Sequence, residues 1–360
     1  MTRRAAPPVP GMPSDAAPSQ GLPPADAVWV RMNRYIGDSV MIHQALEPLR
    51  AMGLPLVAWG PAPVVDLFRG STAFQGAWAD PATGPGALAL ARVLRQARAS
   101  AVLALTRSAR PLMAGLLAGV PRRIGWREGG GFLAATGSLA FYAAPGHQLD
   151  RYAALIARAW PDADLSLPAQ PFVPRPDAFV TAGVRLRDAG LPQAFLALCL
   201  GAASTVKRLP VAAWVALIRH LRAQGRPHAL LGASAEDREQ AEAILQACPD
   251  TPSLVGRLDL ATSAAVLGRA AGLVGNDSGL SHLAAACGIP VVVAFGPTDP
   301  GRTLPRGRVE LVRLEGLDCL ACMTNICRLG DARCLRDLDP GAVLAAVDRL
   351  YSRQEASCPH

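Results

Sequence analysis

This 360-residue sequence has few aromatic side chains, 5% of the total, and few charged ones, 18%. Extended single-stranded nucleic-acid sites need aromatic platforms along a basic groove, so we expect no nucleic-acid partner. Long apolar runs are absent as well. Two uncharged stretches, residues 129–149 and 278–298, are interrupted by Gly, Pro, Ser and His, so we expect no membrane-spanning helix.

The first 26 residues are rich in Pro and Ala and lack an apolar core long enough for a signal peptide, so we expect a disordered tail there. Without a secretion signal, the eight cysteines indicate a reducing compartment, and we expect the protein in the cytoplasm. Hydrophobic residues make up 51%, which is typical of well-buried globular proteins, and a chain of this length is expected to form two domains.

The net charge of +8 comes from 36 basic and 28 acidic residues. This balance favours anionic partners, among them nucleotide diphosphates, phosphorylated acceptors and anionic lipid. The basic residues are scattered along the chain, so charge alone does not choose among these partners.

Strand, loop and helix alternate from residue 27 onward, and five prolines between residues 161 and 176 interrupt the alternation. Before the break, strands are predicted at 27–32, 54–59 and 101–106, and helices at 39–52 and 111–118. After it, strands are predicted at 194–200, 229–231, 272–275 and 291–295, and helices at 211–223, 235–247, 260–270 and 278–287. Pro48 is expected to kink or shorten its helix.

This organisation predicts an α/β protein with two doubly wound, Rossmann-like domains that face each other across a cleft. We predict an N-terminal domain, a linker and a C-terminal domain between two tails, at residues 27–168, 169–193 and 194–352, with the tails at 1–26 and 353–360. Ligands of open α/β sheets bind at the carboxyl ends of the strands. No Gly-x-Gly-x-x-Gly follows the first strand, which disfavours a Rossmann dehydrogenase.

The most informative loop joins a strand that ends near Gly275 to a helix that starts near Ser278. Small polar residues in this turn leave backbone N–H groups and the positive end of the helix dipole available for phosphate oxygens. Ser278 and His282 are four residues apart and share one helix face. Helix capping by Asp277 and Ser278, with His282 packed in the core, is an equally weighted alternative.

Two further loops follow strands in the same half of the chain. Residues 295–300 (FGPTDP) end one strand, and residues 200–210 (LGAASTVKRLP) offer the hydroxyls of Ser204 and Thr205 and the cation of Lys207. An ordinary exposed loop is the alternative for the second segment taken alone. Three such loops at one edge of a sheet favour a diphosphate site.

Together, residues 201–210 with their Lys-Arg-Leu-Pro, 276–286 (NDSGLSHLAAA) and 295–300 resemble glycosyltransferase family 9, the heptosyltransferase family. The resemblance extends over roughly residues 27–345 and implies a GT-B fold whose C-terminal domain binds an ADP-heptose donor. In that family the lysine of the first loop neutralises charge on the leaving ADP. The implied donor-site residues are Ser204, Thr205, Lys207, Glu236, Asp277, Ser278, Gly279, Leu280, His282 and Thr298.

Asp38 follows Gly37 at a strand-to-helix junction, where the sequence alone favours a helix cap. The resemblance implies instead that Asp38 is the general base for an acceptor sugar hydroxyl, which is a poor nucleophile until its proton is removed. It also implies an inverting single displacement, in which ADP leaves toward Lys207 and helix N–H groups. No cofactor is expected to be required for this catalysis.

Arginines are frequent between residues 106 and 127. The resemblance implies that Arg107, Arg110 and Arg123 bind an anionic, lipid-linked glycan, the inner core of lipopolysaccharide; surface positions in solvent are the alternative for each. Such an acceptor and the net positive charge suggest transient contact with the cytoplasmic face of a Gram-negative inner membrane. Residues 33–35 (NRY) replace the small residues that often precede Ile-Gly-Asp in the family.

Four cysteines lie close together in the sequence, at Cys319, Cys322, Cys327 and Cys334. Four thiolates at such spacing could hold a structural zinc ion or an iron–sulfur cluster. The arrangement is not the paired Cys-x2-Cys of common zinc sites, so free thiols or a disulfide that clamps the loop are the alternatives.

Three alternative functions fit the same sequence. A glycosyltransferase of this fold could use another nucleotide sugar, and a sugar-nucleotide epimerase would turn over its substrate without an acceptor. A non-catalytic member of the family would act as a binding protein, although the presence of Asp38 and Lys207 argues against this.

Overall fold

The computed structural model describes residues 24–81, 86–141 and 146–357. Its strands are β1 (Val28–Arg31), β2 (Leu56–Gly60), β3 (Gly76–Ala79), β4 (Ala101–Ala104), β5 (Arg122–Trp126), β6 (Gly137–Leu139), β7 (Leu196–Cys199), β8 (His228–Leu231), β9 (Gly272–Asn276), β10 (Val291–Phe295) and β11 (Val309–Arg313). Its α-helices are α1 (Ile36–Ala45), α2 (Glu47–Ala51), α3 (Ala62–Phe68), α4 (Ala87–Gln96), α5 (Arg110–Ala118), α6 (Gln148–Ala159), α7 (Pro176–Asp188), α8 (Val211–Ala223), α9 (Ala235–Ala247), α10 (Leu260–Leu267), α11 (Gly279–Ala286), α12 (Pro300–Thr303), α13 (Arg333–Arg336) and α14 (Pro340–Ser357).

Two parallel sheets organise the chain, with the strand orders β3-β2-β1-β4-β5-β6 and β11-β10-β9-β7-β8. In each sheet the chain winds outward in one direction, returns to the middle and then winds in the other direction. A crevice therefore opens at the carboxyl ends of the strands, between β1 and β4 in one sheet and between β7 and β9 in the other. The predicted pair of doubly wound, Rossmann-like α/β domains is confirmed.

The four central strands β1, β4, β7 and β9 are buried along their whole length, as strands covered by helices on both faces must be. Their apolar sequences made them predictable. The outer strands β3 and β11 are partly exposed and lack a continuous apolar run, so the sequence pattern missed them.

The predicted helix at 39–52 is in fact two helices. α1 ends at Ala45 and α2 begins at Glu47, because Pro48 has no N–H for the hydrogen bond that a continuous helix would need. The shortening expected at Pro48 is therefore confirmed. Gly53 follows α2 with a left-handed φ of 71°, a conformation that glycine adopts without strain.

The segment between the two sheets contains α7 and an ionic contact that joins both halves of the chain. Arg175 lies within 3.5 Å of Asp66 in the first half and within 3.4 Å of Asp259 in the second.

The exact limits of the domains and the linker stay predictions. No helix of the described residues is long and apolar enough to cross a membrane.

Candidate active site

The three loops singled out after β7, β9 and β10 meet at the carboxylate of Asp277. Its Oδ2 accepts a hydrogen bond from Lys207 Nζ at 2.8 Å and another from Thr298 Oγ1 at 2.7 Å. Asp277 is buried and Lys207 is largely so. A cation thus lies at the carboxyl edge of the second sheet, beside the crevice between β7 and β9 where this fold binds ligands.

Buried polar contacts fix the loop that carries Lys207. The side chain of Asn276 accepts a hydrogen bond from the N–H of Leu209 at 2.9 Å and donates one to the carbonyl of Leu200 at 2.7 Å. Arg208 forms an ion pair of 2.7 Å with the buried carboxylate of Asp237, which also accepts N–H bonds at the start of α9. The backbone around Lys207 is therefore held against both neighbouring strands.

The N-terminus of α11 lies beside these loops. Ser278 occupies the N-cap position without making a side-chain cap hydrogen bond; its Oγ lies instead 3.3 Å from Ser281 Oγ. The capping alternative therefore does not describe Ser278. The first N–H groups of α11, at Gly279 and Leu280, lie at the positive end of a helix dipole, where phosphate oxygens are stabilised.

Asp38 lies in the first turn of α1, on the other side of the cleft, at the third helical residue and not at the N-cap. Its Oδ2 accepts a hydrogen bond of 2.9 Å from the amide of Asn33. Burial, followed by repulsion from Asp277, raises the pKa of Asp38 to about 6, against the opposing effects of Lys207 and Arg107. The carboxyl group and the Lys207–Asp277 pair therefore share one electrostatic environment across the cleft.

Two glycines let the first turns of α1 and α11 touch. A Cβ atom on Gly279 would lie 2.6 Å from Ile36 Cβ, and one on Gly37 would lie 2.9 Å from His282 Cδ2. His282 is buried in this contact, and burial lowers its pKa to about 4, so the ring is neutral at pH 7. The contact places the N-termini of two helices, one from each half of the chain, at the same cleft.

Comparison with known proteins agrees with this geometry. Residues 87–332 match the model of glycosyltransferase family 9 (heptosyltransferase). The chain belongs to glycosyltransferase family 9. It is 34% identical over 143 residues to lipopolysaccharide heptosyltransferase 1 of Pseudomonas aeruginosa, an alignment that covers 40% of each chain; against lipooligosaccharide heptosyltransferase 2 of Haemophilus influenzae it is 30% identical, with 41% of this chain and 44% of that one covered.

The fold of this family 9 member is also that of a solved family structure. The ADP-heptose lipopolysaccharide heptosyltransferase II of Escherichia coli superposes with a TM-score of 0.76 and 23% identity, over 91% of this chain and 99% of that one. At this identity the likeness shows the fold, which confirms the GT-B prediction. In sequence, the chain spans 40% and 44% of the length of the two curated relatives above.

The structure separates the three arginines predicted to bind an acceptor. Arg107 and Arg110 are exposed at the carboxyl edge of the first sheet, and Arg107 lowers the pKa of Asp38. Arg123 lies at the opposite, amino end of β5, where its guanidinium donates to the carbonyls of Val120 and Ala134. The structure therefore brings Arg107 and Arg110 to the cleft edge and does not bring Arg123 there; the acceptor contacts stay predictions.

The remaining donor candidates differ in their surroundings. Leu280 lies in the first turn of α11, Thr205 is exposed, and Glu236 is exposed in the first turn of α9. Ser204 precedes the 3₁₀ turn Thr205–Lys207, and among the described residues its buried Oγ has no hydrogen-bond partner. Ser204 is therefore better placed to meet a ligand than the exposed Thr205.

The four clustered cysteines line a cavity of about 300 Å³, together with Val206 and Pro297 of the donor loops. Backbone N–H groups, first that of Ala332, lower the pKa of the Cys327 thiol. In the described ranges, however, no three His, Cys, Asp or Glu side chains are arranged to hold a metal ion. The residues therefore do not fit the predicted zinc or iron–sulfur site at Cys319, Cys322, Cys327 and Cys334, and all four are free thiols.

Sequence reasoning missed three side chains that shape this site. Asn33 donates a hydrogen bond to Asp38, and Asp237 forms an ion pair with Arg208. Asn276 bonds to both ends of the loop that carries Lys207. Asn276 stands in the quoted 276–286 segment but was not assigned a role. Its partners lie 67 and 76 residues away, a pairing that no local pattern reveals.

We expect the activity of this protein to rise with pH through an acid limb near pH 6. A general base must be deprotonated, and the pKa of Asp38 is about 6. Asn33→Ala removes a hydrogen bond to the charged carboxylate, so the pKa of Asp38 and the acid limb should both move upward. The measurement is the pH profile of kcat/KM for both proteins; an unmoved limb in the variant would show that Asn33 does not act on Asp38.

Gly279→Ala should weaken catalysis far more than it weakens folding. The new methyl group would lie 2.6 Å from Ile36 Cβ. Because Ile36 is β-branched and lies in a helix, its side chain cannot rotate to relieve this contact. The two helix N-termini must separate, and displacement of reacting groups by about 1 Å costs on the order of 10²-fold in rate. Gly86→Ala, a change at an exposed position with open space around it and an ordinary φ of −64°, is the control for stability. Normal kcat in Gly279→Ala would contradict the close approach.

Proposed function

We propose that the protein is an inverting glycosyltransferase that moves a heptose from ADP-heptose to an anionic, lipid-linked glycan acceptor of the lipopolysaccharide inner core. The observation that carries this proposal is that a carboxylate of raised pKa, Asp38, and a cation, Lys207, lie at one cleft and act on each other electrostatically, while Lys207 forms its ion pair with Asp277. The donor and acceptor follow the names of the related proteins, which are lipopolysaccharide and ADP-heptose heptosyltransferases.

The donor is held by the second sheet. Its diphosphate would lie against the first N–H groups of α11 and take the ammonium of Lys207 as counter-ion in competition with Asp277. Ser204 and Thr298 offer hydroxyls at the same edge. These groups are already in position to stabilise the negative charge that develops on the leaving ADP. Such electrostatic stabilisation is usually the largest contribution that a site makes to the rate.

The acceptor hydroxyl approaches from the first sheet, beside Asp38. As its oxygen bonds to the anomeric carbon of the heptose, the bond from that carbon to the phosphate oxygen breaks and Asp38 takes the hydroxyl proton. A pKa of about 6 keeps most of Asp38 charged at pH 7 while making it a stronger base than an ordinary aspartate. Arg107 and Arg110, exposed at the same edge, would bind anionic groups of the acceptor.

Calorimetric titration with ADP and with UDP, without added metal, tests the donor assignment first. We expect ADP to bind and UDP to bind much more weakly. Preference for UDP would retain the fold and reject ADP-heptose. Binding of neither nucleotide would favour the non-catalytic alternative.

Turnover of ADP-heptose, followed with and without a lipid-linked inner-core acceptor, tests the reaction. We expect ADP release to require the acceptor and the product linkage to have the opposite anomeric configuration to the donor, measured by NMR. Conversion of the nucleotide sugar without any acceptor would point to an epimerase.

A further inference from the structure

The first sheet carries a long segment of one charge sign. Between Asp80 and Glu128 the sequence contains eight arginines and no aspartate or glutamate. Three of these arginines, Arg107, Arg110 and Arg127, are exposed in loops or helix starts that follow strands, at the carboxyl edge of the sheet. Their positive charges are therefore presented at the same edge as the cleft.

Two large apolar side chains are exposed in the turn that follows Arg127. Phe132 is 55% and Leu133 is 70% exposed at the end of the turn Glu128–Leu133, directly after β5 and Arg127. We call Phe132, Leu133, Arg107, Arg110 and Arg127 the basic-apolar patch. A single exposed apolar residue needs no explanation, but an adjacent pair bordered by arginines is characteristic of an interaction surface.

The turn that carries the pair is packed tightly from below. A Cβ on Gly131 would lie 2.2 Å from the carbonyl oxygen of Trp126, and one on Gly129 would lie 2.9 Å from the carbonyl oxygen of Arg107. Gly129 and Gly130 also have left-handed φ values of 64° and 79°. The glycines thus let the turn lie directly on the arginine-bearing loop, while the two apolar side chains at its end stay exposed.

A second exposed apolar group provides a contrast. Ile326 is 81% exposed in the cysteine segment, yet the arginines near it are paired: Arg333 lies 2.7 Å from Asp331, and Arg336 lies 2.6 Å from Asp337. Its surroundings therefore carry little net positive charge. The three arginines of the basic-apolar patch lie in the stretch between Asp80 and Glu128 that contains no acidic residue, so this patch has the charge that an anionic partner requires.

We propose that the basic-apolar patch docks on an anionic lipid bilayer. Phe132 and Leu133 enter the boundary between headgroups and acyl chains, while the arginines contact lipid phosphates, because apolar burial and electrostatic attraction add at this interface. Arg107 follows β4 and Asp38 follows β1, and these two strands are paired neighbours in the sheet, so the docked surface lies at the same sheet edge as the base. This deepens the proposed function, on which it rests for the acceptor: a lipid-linked acceptor would reach Asp38 without leaving the bilayer.

Co-sedimentation of the full chain with vesicles tests the proposal, with no nucleotide or acceptor present. We expect binding to phosphatidylglycerol-containing vesicles, little binding to vesicles of phosphatidylcholine alone, and weakening by added salt. The double variant Phe132→Ser/Leu133→Ser should lose about tenfold or more in vesicle affinity, because two apolar side chains no longer leave water.

Ile326→Ser and Val180→Ser are the matched controls, since they remove apolar side chains that are 81% and 70% exposed elsewhere; both should bind vesicles like the unaltered protein. Thermal unfolding followed by circular dichroism establishes that each variant is folded. Equal binding of the double variant, loss of binding in Ile326→Ser, or absence of binding to anionic vesicles would each overturn the proposal. Because no sugar is transferred in this assay, its result does not depend on the ADP-heptose assignment.

Discussion

Asp38→Asn is expected to lower turnover by about 10²–10⁴-fold, the usual contribution of a general base, while ADP affinity stays close to that of the unaltered protein. Asparagine has the same shape but cannot take the proton from the acceptor hydroxyl. The donor side, built around Lys207 and Asp277, contains no contact that the substitution removes directly. Steady-state kinetics and calorimetry with ADP, on the same preparations, separate the two effects.

The same variant should also be more stable at neutral pH. The pKa of Asp38 is about 6 in the folded protein, above its ordinary value of 3.8, so the folded state holds the proton more tightly and stability falls as pH rises between these values. Above pH 6 the charged carboxylate destabilises the fold by on the order of 1–3 kcal/mol, and asparagine removes that cost. We expect a higher melting temperature at pH 7.5 and little change at pH 4.

Asp150→Asn is the control for this experiment. Asp150 also lies near the contact between the two halves of the chain, where it pairs with Arg306, but both side chains are more than half exposed. Its loss should leave turnover and melting temperature nearly unchanged. Near-normal turnover in Asp38→Asn would reject Asp38 as the base, and a lower melting temperature at pH 7.5 would show that Asp38 supports the fold.

Much of the fold could be predicted because its central strands are mostly apolar and several of its helices are followed by a glycine. Helix α8 and strand β10 were predicted with their observed bounds. The outer strands β3 and β11 were missed because they are partly exposed and lack a continuous apolar run, whereas the outer strand β8 is buried along its length and was predicted. A continuous apolar run makes a strand that is buried on both faces easier to predict than a strand that is partly exposed.

The residues of the candidate site could be predicted from the sequence, but the contacts between them could not. Lys207, Asp277 and Thr298 were named from three separate loops, and the topology brings all three loops to the crevice between β7 and β9. The Asn33–Asp38 bond and the contact of Gly279 with Ile36 depend on how loops and helices pack in three dimensions. For the same reason, Arg123 was grouped with Arg107 although the two lie at opposite edges of one sheet.

Lys207→Ala is expected to weaken ADP binding by about 10–100-fold, the usual value of one charge-assisted hydrogen bond, and to lower turnover by about 10²–10³-fold because the leaving diphosphate loses its cation. It should also move the acid limb of the pH profile upward, since Lys207 is one of the groups that lower the pKa of Asp38. Lys207→Arg keeps the charge and should retain most ADP affinity. The measurements are ADP titration and the pH dependence of kcat/KM.

The chain offers an independent check, because Lys207 is its only lysine. Reductive methylation can therefore modify one side-chain amine, and mass spectrometry can follow that site without ambiguity. If the ammonium leaves Asp277 to bind a diphosphate, saturating ADP should protect Lys207 from methylation, whereas adenosine should not. Equal labelling with both, together with unchanged ADP affinity in Lys207→Ala, would show that the lysine serves only to neutralise Asp277 in the cleft.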